Sequence, residues 1–146
     1  MGNPLLITAL SYFEASEDPT LSHSIGQILL AAADEDLDTF QNLLQDVGGW
    51  VPRKTIYCNP KDEILAYSQY VHGYPRAGAM NDEAAKKFNQ ALGEVVPTLP
   101  RIVTLESGDN TFWGHFYYLN EPKVYYDMAK VTIYKNPNIM LISISL

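Results

Sequence analysis

The side chains of this sequence that are best suited to acid–base chemistry follow apolar, strand-like runs. Asp34 comes directly after the first such run, Asp62 follows the second after an Asn-Pro-Lys turn, and His115 comes shortly after the third. Carboxylates and imidazoles are the groups that most often transfer protons in catalysis. Because ligands bind at the carboxyl edge of an open α/β sheet, we expect these residues to gather there. The three runs cover residues 25–33, 55–58 and 101–105.

Helical patterns separate the three runs. This alternation predicts an α/β fold with right-handed crossovers, a mainly parallel sheet of about three to four strands and flanking helices. The first strand, expected near residues 26–33, would leave an apolar edge, and such an edge favours pairing. We expect one domain over residues 1–146, in which the tail 131–146 has no assigned fold. Apolar periodicity and capping residues place helix starts near Asn3, Leu37, Asp62, Ala84 and Pro122.

Composition narrows the functional classes. The chain has 146 residues, 47% of them apolar and 18% charged, which is typical of a globular domain. Its net charge of −7 argues against general nucleic-acid binding but leaves a lipid-like substrate open. The single cysteine and the lack of a His-x-x-x-His spacing predict no disulfide, no metal site and no cofactor. Without a signal peptide or a membrane-spanning run, a cytoplasmic location is the default expectation.

Several motifs, taken together and in order, resemble a known family. They are Met-Gly-Asn-x-Leu-Leu at residue 1, Ile-Leu-Leu-Ala-Ala-Ala-Asp-Glu-Asp at residue 28, Thr-Ile-Tyr-x-x-x-x-Asp at residue 55, His-Gly-x-x-Arg-x-Gly at residue 72 and Gly-His-x-Tyr-Tyr at residue 114. Over roughly residues 1–130 the chain resembles the C-terminal half of a bacterial α/β-hydrolase family of predicted serine esterases with no settled substrate.

The resemblance implies a Ser-His-Asp triad in which Asp62 is the acid and His115 the base. The nucleophile of such enzymes lies in a Gly-x-Ser-x-Gly turn, which this sequence lacks. Residues 1–3 match the end of that turn, so the serine would stand just before Met1. The backbone nitrogen of Met1, an oxyanion donor in the family, would be a terminal amine here. We therefore expect no activity from the chain alone, and a small ester or lipid-like substrate for the full-length family.

Each assignment has a structural alternative. Asp62 could be only the N-cap of the next helix, and His115 could be a histidine packed among its aromatic neighbours. Asp34 is the rival acid. His72 and Arg76 match a family loop and are either structural or weak candidates for substrate contact.

Other residues carry weaker hypotheses. Asp36 and Asp38 suit helix caps and solvated positions, and Asp109 suits a turn. Cys58 suits a small buried position better than a nucleophile. A second class of function is a non-catalytic interaction module that binds a partner or itself through the apolar sheet edge.

Overall fold

The chain folds around a three-stranded parallel sheet. The computed structural model describes residues 2–15, 25–47, 51–105 and 114–135. The strands β1, β2 and β3 neighbour one another in sequence order. They span, in turn, Ile28–Ala31, Lys54–Cys58 and Arg101–Thr104. The predicted class, a mainly parallel sheet with flanking helices, is thereby confirmed.

Six α-helices and one short 3₁₀ helix, at Ala77–Ala79, surround the sheet within these described ranges. The helices are α1 Gly2–Ala15, α2 Leu37–Asp46, α3 Glu63–His72, α4 Asp82–Gly93, α5 Tyr117–Asn120 and α6 Pro122–Lys135.

Local capping explains several of the helix ends. The Asp36 carboxylate accepts a hydrogen bond from the Thr39 amide at the start of α2, and the Asn81 side chain accepts one from the Ala84 amide at the start of α4. Gly73 ends α3 in the left-handed conformation that suits glycine.

Side chains on the two faces of the sheet form two separate cores. Successive residues of a strand point to opposite faces, so Leu30 and Ile56 pack on one side and Leu29 and Tyr57 on the other. The first core takes residues from α1, α2 and α4, and the second from α5 and α6. With both faces covered, β1 and β2 are buried along their whole length, which explains the apolar sequence of β1 and of Ile56–Cys58 in β2.

The register of the sheet brings the carboxyl ends of the strands together. Ala31 of β1 lies opposite Tyr57 of β2, and Cys58 of β2 lies opposite Thr104 of β3. The loop after β2 therefore starts beside the loop after β3. Chain segments that leave neighbouring strands at this edge can meet, although many residues separate them in sequence.

Several predicted details differ from the structure. The strand expected near residues 26–33 is shorter, at Ile28–Ala31, although burial continues to Ala33. The helical spacing of the apolar residues in the sequence predicts that Leu5 and Val71 lie on buried stripes, but both are exposed because each falls on the solvent side of its helix. Residues 131–135 of the expected tail belong to α6, and the rest of that tail lies outside the described residues. None of the helices described is both long and apolar enough to cross a bilayer.

Gly78 provides a test of how closely the strand ends are packed. Its N–H donates to the Ala33 carbonyl and its C=O accepts from the Asn59 amide, so it joins the segments after β1 and β2. A β-carbon there would lie 2.8 Å from the Ala32 carbonyl carbon and would clash with the Ala33 nitrogen. We expect Gly78→Ala to lower the free energy of unfolding, measured in urea, by about 2 kcal/mol or more.

Gly93 is the matched control for this substitution. It also lies in a helical segment, but a β-carbon there would meet only Leu99 side-chain atoms at 3.8 Å and beyond. Gly93→Ala should leave the free energy of unfolding within about 0.5 kcal/mol of the parent. Equal effects of the two substitutions would contradict the close packing of Gly78.

Candidate active site

Asp62 stands at the carboxyl edge of β2 and has two structural tasks. One carboxylate oxygen, Oδ1, accepts hydrogen bonds from the amides of Ile64 and Leu65, at 3.0 Å each, and so caps α3. The other oxygen, Oδ2, lies 2.7 Å from Nδ1 of His115. The helix-cap reading and the acid reading are thus not exclusive, because each uses a different oxygen. The side chain is almost wholly buried, at 1% exposure of the residue.

Only one ring nitrogen of His115, Nδ1, contacts Asp62, and the other nitrogen, Nε2, does not. A carboxylate can only accept, so the hydrogen of the neutral ring lies on Nδ1 and the lone pair on Nε2. Within the described parts of the chain, Nε2 has no hydrogen-bond partner. The ring is buried and meets the edge of Phe116, with centroids 5.4 Å apart. An imidazole held in this way is oriented to accept a proton at Nε2.

Asn59 joins the loop that carries Asp62 to the loop that carries His115. Its side-chain amide donates to the Gly114 carbonyl at 2.8 Å, and its side-chain oxygen accepts from the Lys61 amide at 3.0 Å. Gly114 has φ +71°, and a β-carbon there would stand 3.1 Å from the Lys61 carbonyl oxygen. The residue before His115 must therefore be small and able to adopt a left-handed backbone.

Tyr117 fastens the segment after His115 to both neighbouring strands. Its buried hydroxyl donates to the Tyr57 carbonyl at 2.6 Å and accepts from the Ala32 amide at 2.9 Å. Burial raises the pKa of Tyr117, which keeps the phenol neutral and able to donate. Ala32 has φ +48°, an uncommon backbone for alanine, and the hydrogen bond holds its amide in that position.

Comparison with known proteins agrees with the fold. A family model described as an alpha/beta hydrolase of unknown function (DUF900) matches residues 1–133, which is most of the chain. The chain belongs to this α/β-hydrolase family. Searches of the curated proteins and of the solved structures found no match.

The other acid candidate of this α/β hydrolase has different partners. Asp34 accepts a hydrogen bond from the Ser68 hydroxyl at 2.6 Å, and its Oδ1 lies 3.3 Å from Nε of Arg76. The angle at Nε is not that of a hydrogen bond, so the Arg76 contact is an ion pair only. The structure therefore pairs His115 with Asp62, and Asp34 with the segment after α3.

The remaining candidates lie apart from the buried pair. His72 is exposed at the far end of α3, about 15 Å along the helix from Asp62. Arg76 is buried in its ion pair with Asp34, which indicates a structural role. Asp36 caps α2 as expected, and Asp38 is exposed. The expectations for Met1 and Asp109 fall outside the described residues.

Cys58 has the properties of a packed side chain. It is fully buried, its thiol donates to the Ala77 carbonyl, and burial raises its pKa to about 12. Because the thiolate is the reactive form, such a cysteine is a poor nucleophile at neutral pH. In the described ranges, no group of three or more His, Cys, Asp or Glu side chains is arranged to hold a metal ion.

The positioning roles of Asn59 and Tyr117 were not predicted from the sequence. Asn59 and Pro60 form a turn signal, and an asparagine next to proline after a buried strand often hydrogen-bonds backbone groups. Tyr117 lies in an aromatic stretch between Phe116 and Tyr118. Its hydroxyl partners are strand backbone atoms, 60 and 85 residues away. No local pattern reveals contacts over such separations.

A substitution of Tyr117 tests whether it anchors the His115 segment. Tyr117→Phe keeps the ring but leaves a buried amide and a buried carbonyl without their hydroxyl partner. We expect the free energy of unfolding in urea to fall by about 2 kcal/mol or more. Tyr118→Phe is the control, because the neighbouring Tyr118 is also buried but its hydroxyl has no hydrogen bond among the described residues. Similar losses in both variants would contradict the anchoring role.

Proposed function

We propose that this α/β hydrolase cleaves a carboxylic ester, or a related acyl bond, with Asp62 and His115 as the acid and base of a Ser-His-Asp triad. The observation that carries the proposal is the 2.7 Å contact between Oδ2 of Asp62 and Nδ1 of His115. The contact is buried at the carboxyl edge of a parallel sheet, where α/β enzymes place their catalytic groups.

In the proposed reaction, Nε2 of His115 removes the proton from a serine hydroxyl as the oxygen attacks the acyl carbon. The imidazolium that forms is stabilised by the Asp62 carboxylate, and it then protonates the leaving alkoxide. Water repeats the same steps on the acyl-enzyme and releases the carboxylic acid. The serine belongs to a Gly-x-Ser-x-Gly turn that these 146 residues do not contain.

Asp62 and His115 can take different roles because neighbouring groups hold each side chain in one orientation. Asp62 receives two backbone N–H groups on Oδ1, which favour its charged form without using Oδ2. Asn59 and Tyr117 hold the backbone on either side of the base. The imidazole therefore loses little orientational freedom when it takes up a proton, and preorganisation of this kind lowers the barrier. The substrate is a small-molecule ester or lipid-like ester.

The test uses p-nitrophenyl acetate and two forms of the protein. We expect the 146-residue chain to show no turnover and no fluorophosphonate labelling. Fusion of a family amino-terminal half that ends in Gly-x-Ser directly ahead of Met1, so that Met1 and Gly2 complete the Gly-x-Ser-x-Gly turn, should give turnover. In the fusion, His115→Ala or Asp62→Asn should lower kcat by about a thousandfold or more. Asparagine keeps an oxygen that can cap α3.

Asp34→Asn in the same fusion is the control for the acid, and it should change kcat less than tenfold. Stoichiometric labelling of the 146-residue chain by the fluorophosphonate would refute the proposal. So would a fusion whose kcat survives His115→Ala, or one whose kcat depends on Asp34 and not on Asp62.

A second candidate function is self-association through the edge of the sheet. Among the described residues, β1 pairs only with β2, so Leu29, whose backbone faces away from β2, offers its N–H and C=O groups to a further strand. Its side chains are buried, so this interface would form through backbone hydrogen bonds and not through an exposed apolar surface.

Light scattering on the 146-residue chain distinguishes this candidate. Strand pairing predicts a defined dimer whose population rises with protein concentration. Leu29→Pro is the variant to compare, since proline cannot donate a hydrogen bond at this edge of the sheet. A monomer at every concentration would exclude self-association.

A further inference from the structure

A cavity lies at the opposite edge of the sheet from Asp62 and His115. It is formed at the amino ends of β2 and β3, against the side of α6, and has a volume of about 530 Å³. Pockets for small molecules have volumes in this range. Since β2 runs from Lys54 to Cys58, the length of the strand, about 13 Å, separates the cavity from the buried pair.

The charge around this cavity is opposite to that of the whole chain. The chain has 10 Lys and Arg residues and 17 Asp and Glu residues, with a net charge of −7. Four of the ten cations line the cavity, but only one of the seventeen acids, Asp127, does so. A concave site that gathers cations in an acidic protein attracts anions. The four cations are Arg53, Lys54, Arg101 and Lys130.

Lys54 is the buried member of this group, at 3% exposure. Its ammonium donates to the Val51 carbonyl at 2.9 Å and to the Thr98 hydroxyl at 3.1 Å. Burial lowers the pKa of Lys54, which reflects the free energy needed to keep a charge away from water. An anion in the cavity would offset part of that free energy.

Arg101 is held in place at the mouth of the cavity. Its two terminal nitrogens donate to the two oxygens of Asp127 at 2.7 and 3.0 Å, and the Tyr57 hydroxyl donates to the same carboxylate at 2.8 Å. Hydrogen bonding from Arg101 lowers the pKa of Asp127, so the ion pair persists at neutral pH. Asp127 engages two of the five N–H donors of Arg101, and the fixed guanidinium keeps others for a ligand.

Leu99 and Val131 add apolar wall to the same cavity. Leu99 is about half exposed, at 48%, and Val131 is partly buried. We propose that this cavity binds a small organic anion, with its oxyanion head at the four cations and a short apolar tail against Leu99 and Val131. Carboxylates and phosphates share this chemistry. The site is independent of the proposed hydrolytic reaction.

The test measures binding of hexanoate and hexyl phosphate to the 146-residue chain by titration calorimetry. Hexanol and hexyltrimethylammonium are the probes without an anion, and inorganic phosphate is the probe without a tail. We expect the six-carbon anions to bind more tightly than all three of these probes, and their affinity to fall as salt increases. Comparison of the two anions shows which head group the site prefers.

Variants locate the binding. Lys130→Gln removes an exposed cation of the cavity and should weaken binding of the preferred anion severalfold. Lys54→Met removes the buried ammonium and should weaken it by about tenfold or more. Lys123→Gln, on the same helix but outside the cavity, is the control and should leave the affinity unchanged.

Two results would overturn the proposal. One is that hexanol binds as well as hexanoate, which would indicate an apolar site only. The other is that Lys130→Gln binds the anions as tightly as Lys123→Gln. If circular dichroism shows that Lys54→Met does not fold, the comparison of Lys130→Gln with Lys123→Gln decides alone, because both side chains are exposed.

Discussion

The candidate active site depends on one carboxylate that serves a helix and a histidine together. Oδ1 of Asp62 satisfies two amides at the start of α3, and Oδ2 meets the imidazole of His115. The helix fixes the rotation of the carboxylate, so the carboxylate fixes the plane in which the imidazole can approach. An uncapped helix would leave the side chain of residue 62 free to turn. The same carboxylate that starts α3 thus orients the imidazole of His115.

A contact this short between two loops needs support from the rest of the edge. Parallel register brings the ends of β2 and β3 together, and Asn59 and Gly114 close the gap between their loops. Tyr117 then draws the chain after His115 down onto β1 and β2. Each link uses buried backbone groups that would otherwise lack partners, and such groups are costly to leave unpaired. The contacts that hold this edge together are therefore the same contacts that bring Asp62 beside His115.

The sequence allowed the sheet to be predicted because buried parallel strands leave a strong local signal. The runs around β1 and β2 are apolar on both faces, and acids or turns follow them at once. Asp62 and His115 could be proposed from their places after strands together with the family motifs. Asn59 and Tyr117 could not, since their partners lie far away in sequence. The exposed side chains of Leu5 and Val71 have a related explanation. Helical periodicity identifies an apolar stripe along a helix, but it does not show which residues at the edge of that stripe pack against the core.

The cation-lined cavity could not be predicted for the same reason, since it joins β2, β3 and α6, which are distant in sequence. Yet it is connected to the candidate active site through Tyr57. The Tyr57 hydroxyl donates to Asp127 beside the cavity, while its backbone carbonyl accepts from Tyr117 at the opposite edge. The side chain of Tyr57 thus hydrogen-bonds to a residue of the cavity, and its backbone supports the segment that carries His115. One buried strand residue therefore contributes to both edges of the sheet, which no local sequence pattern indicates.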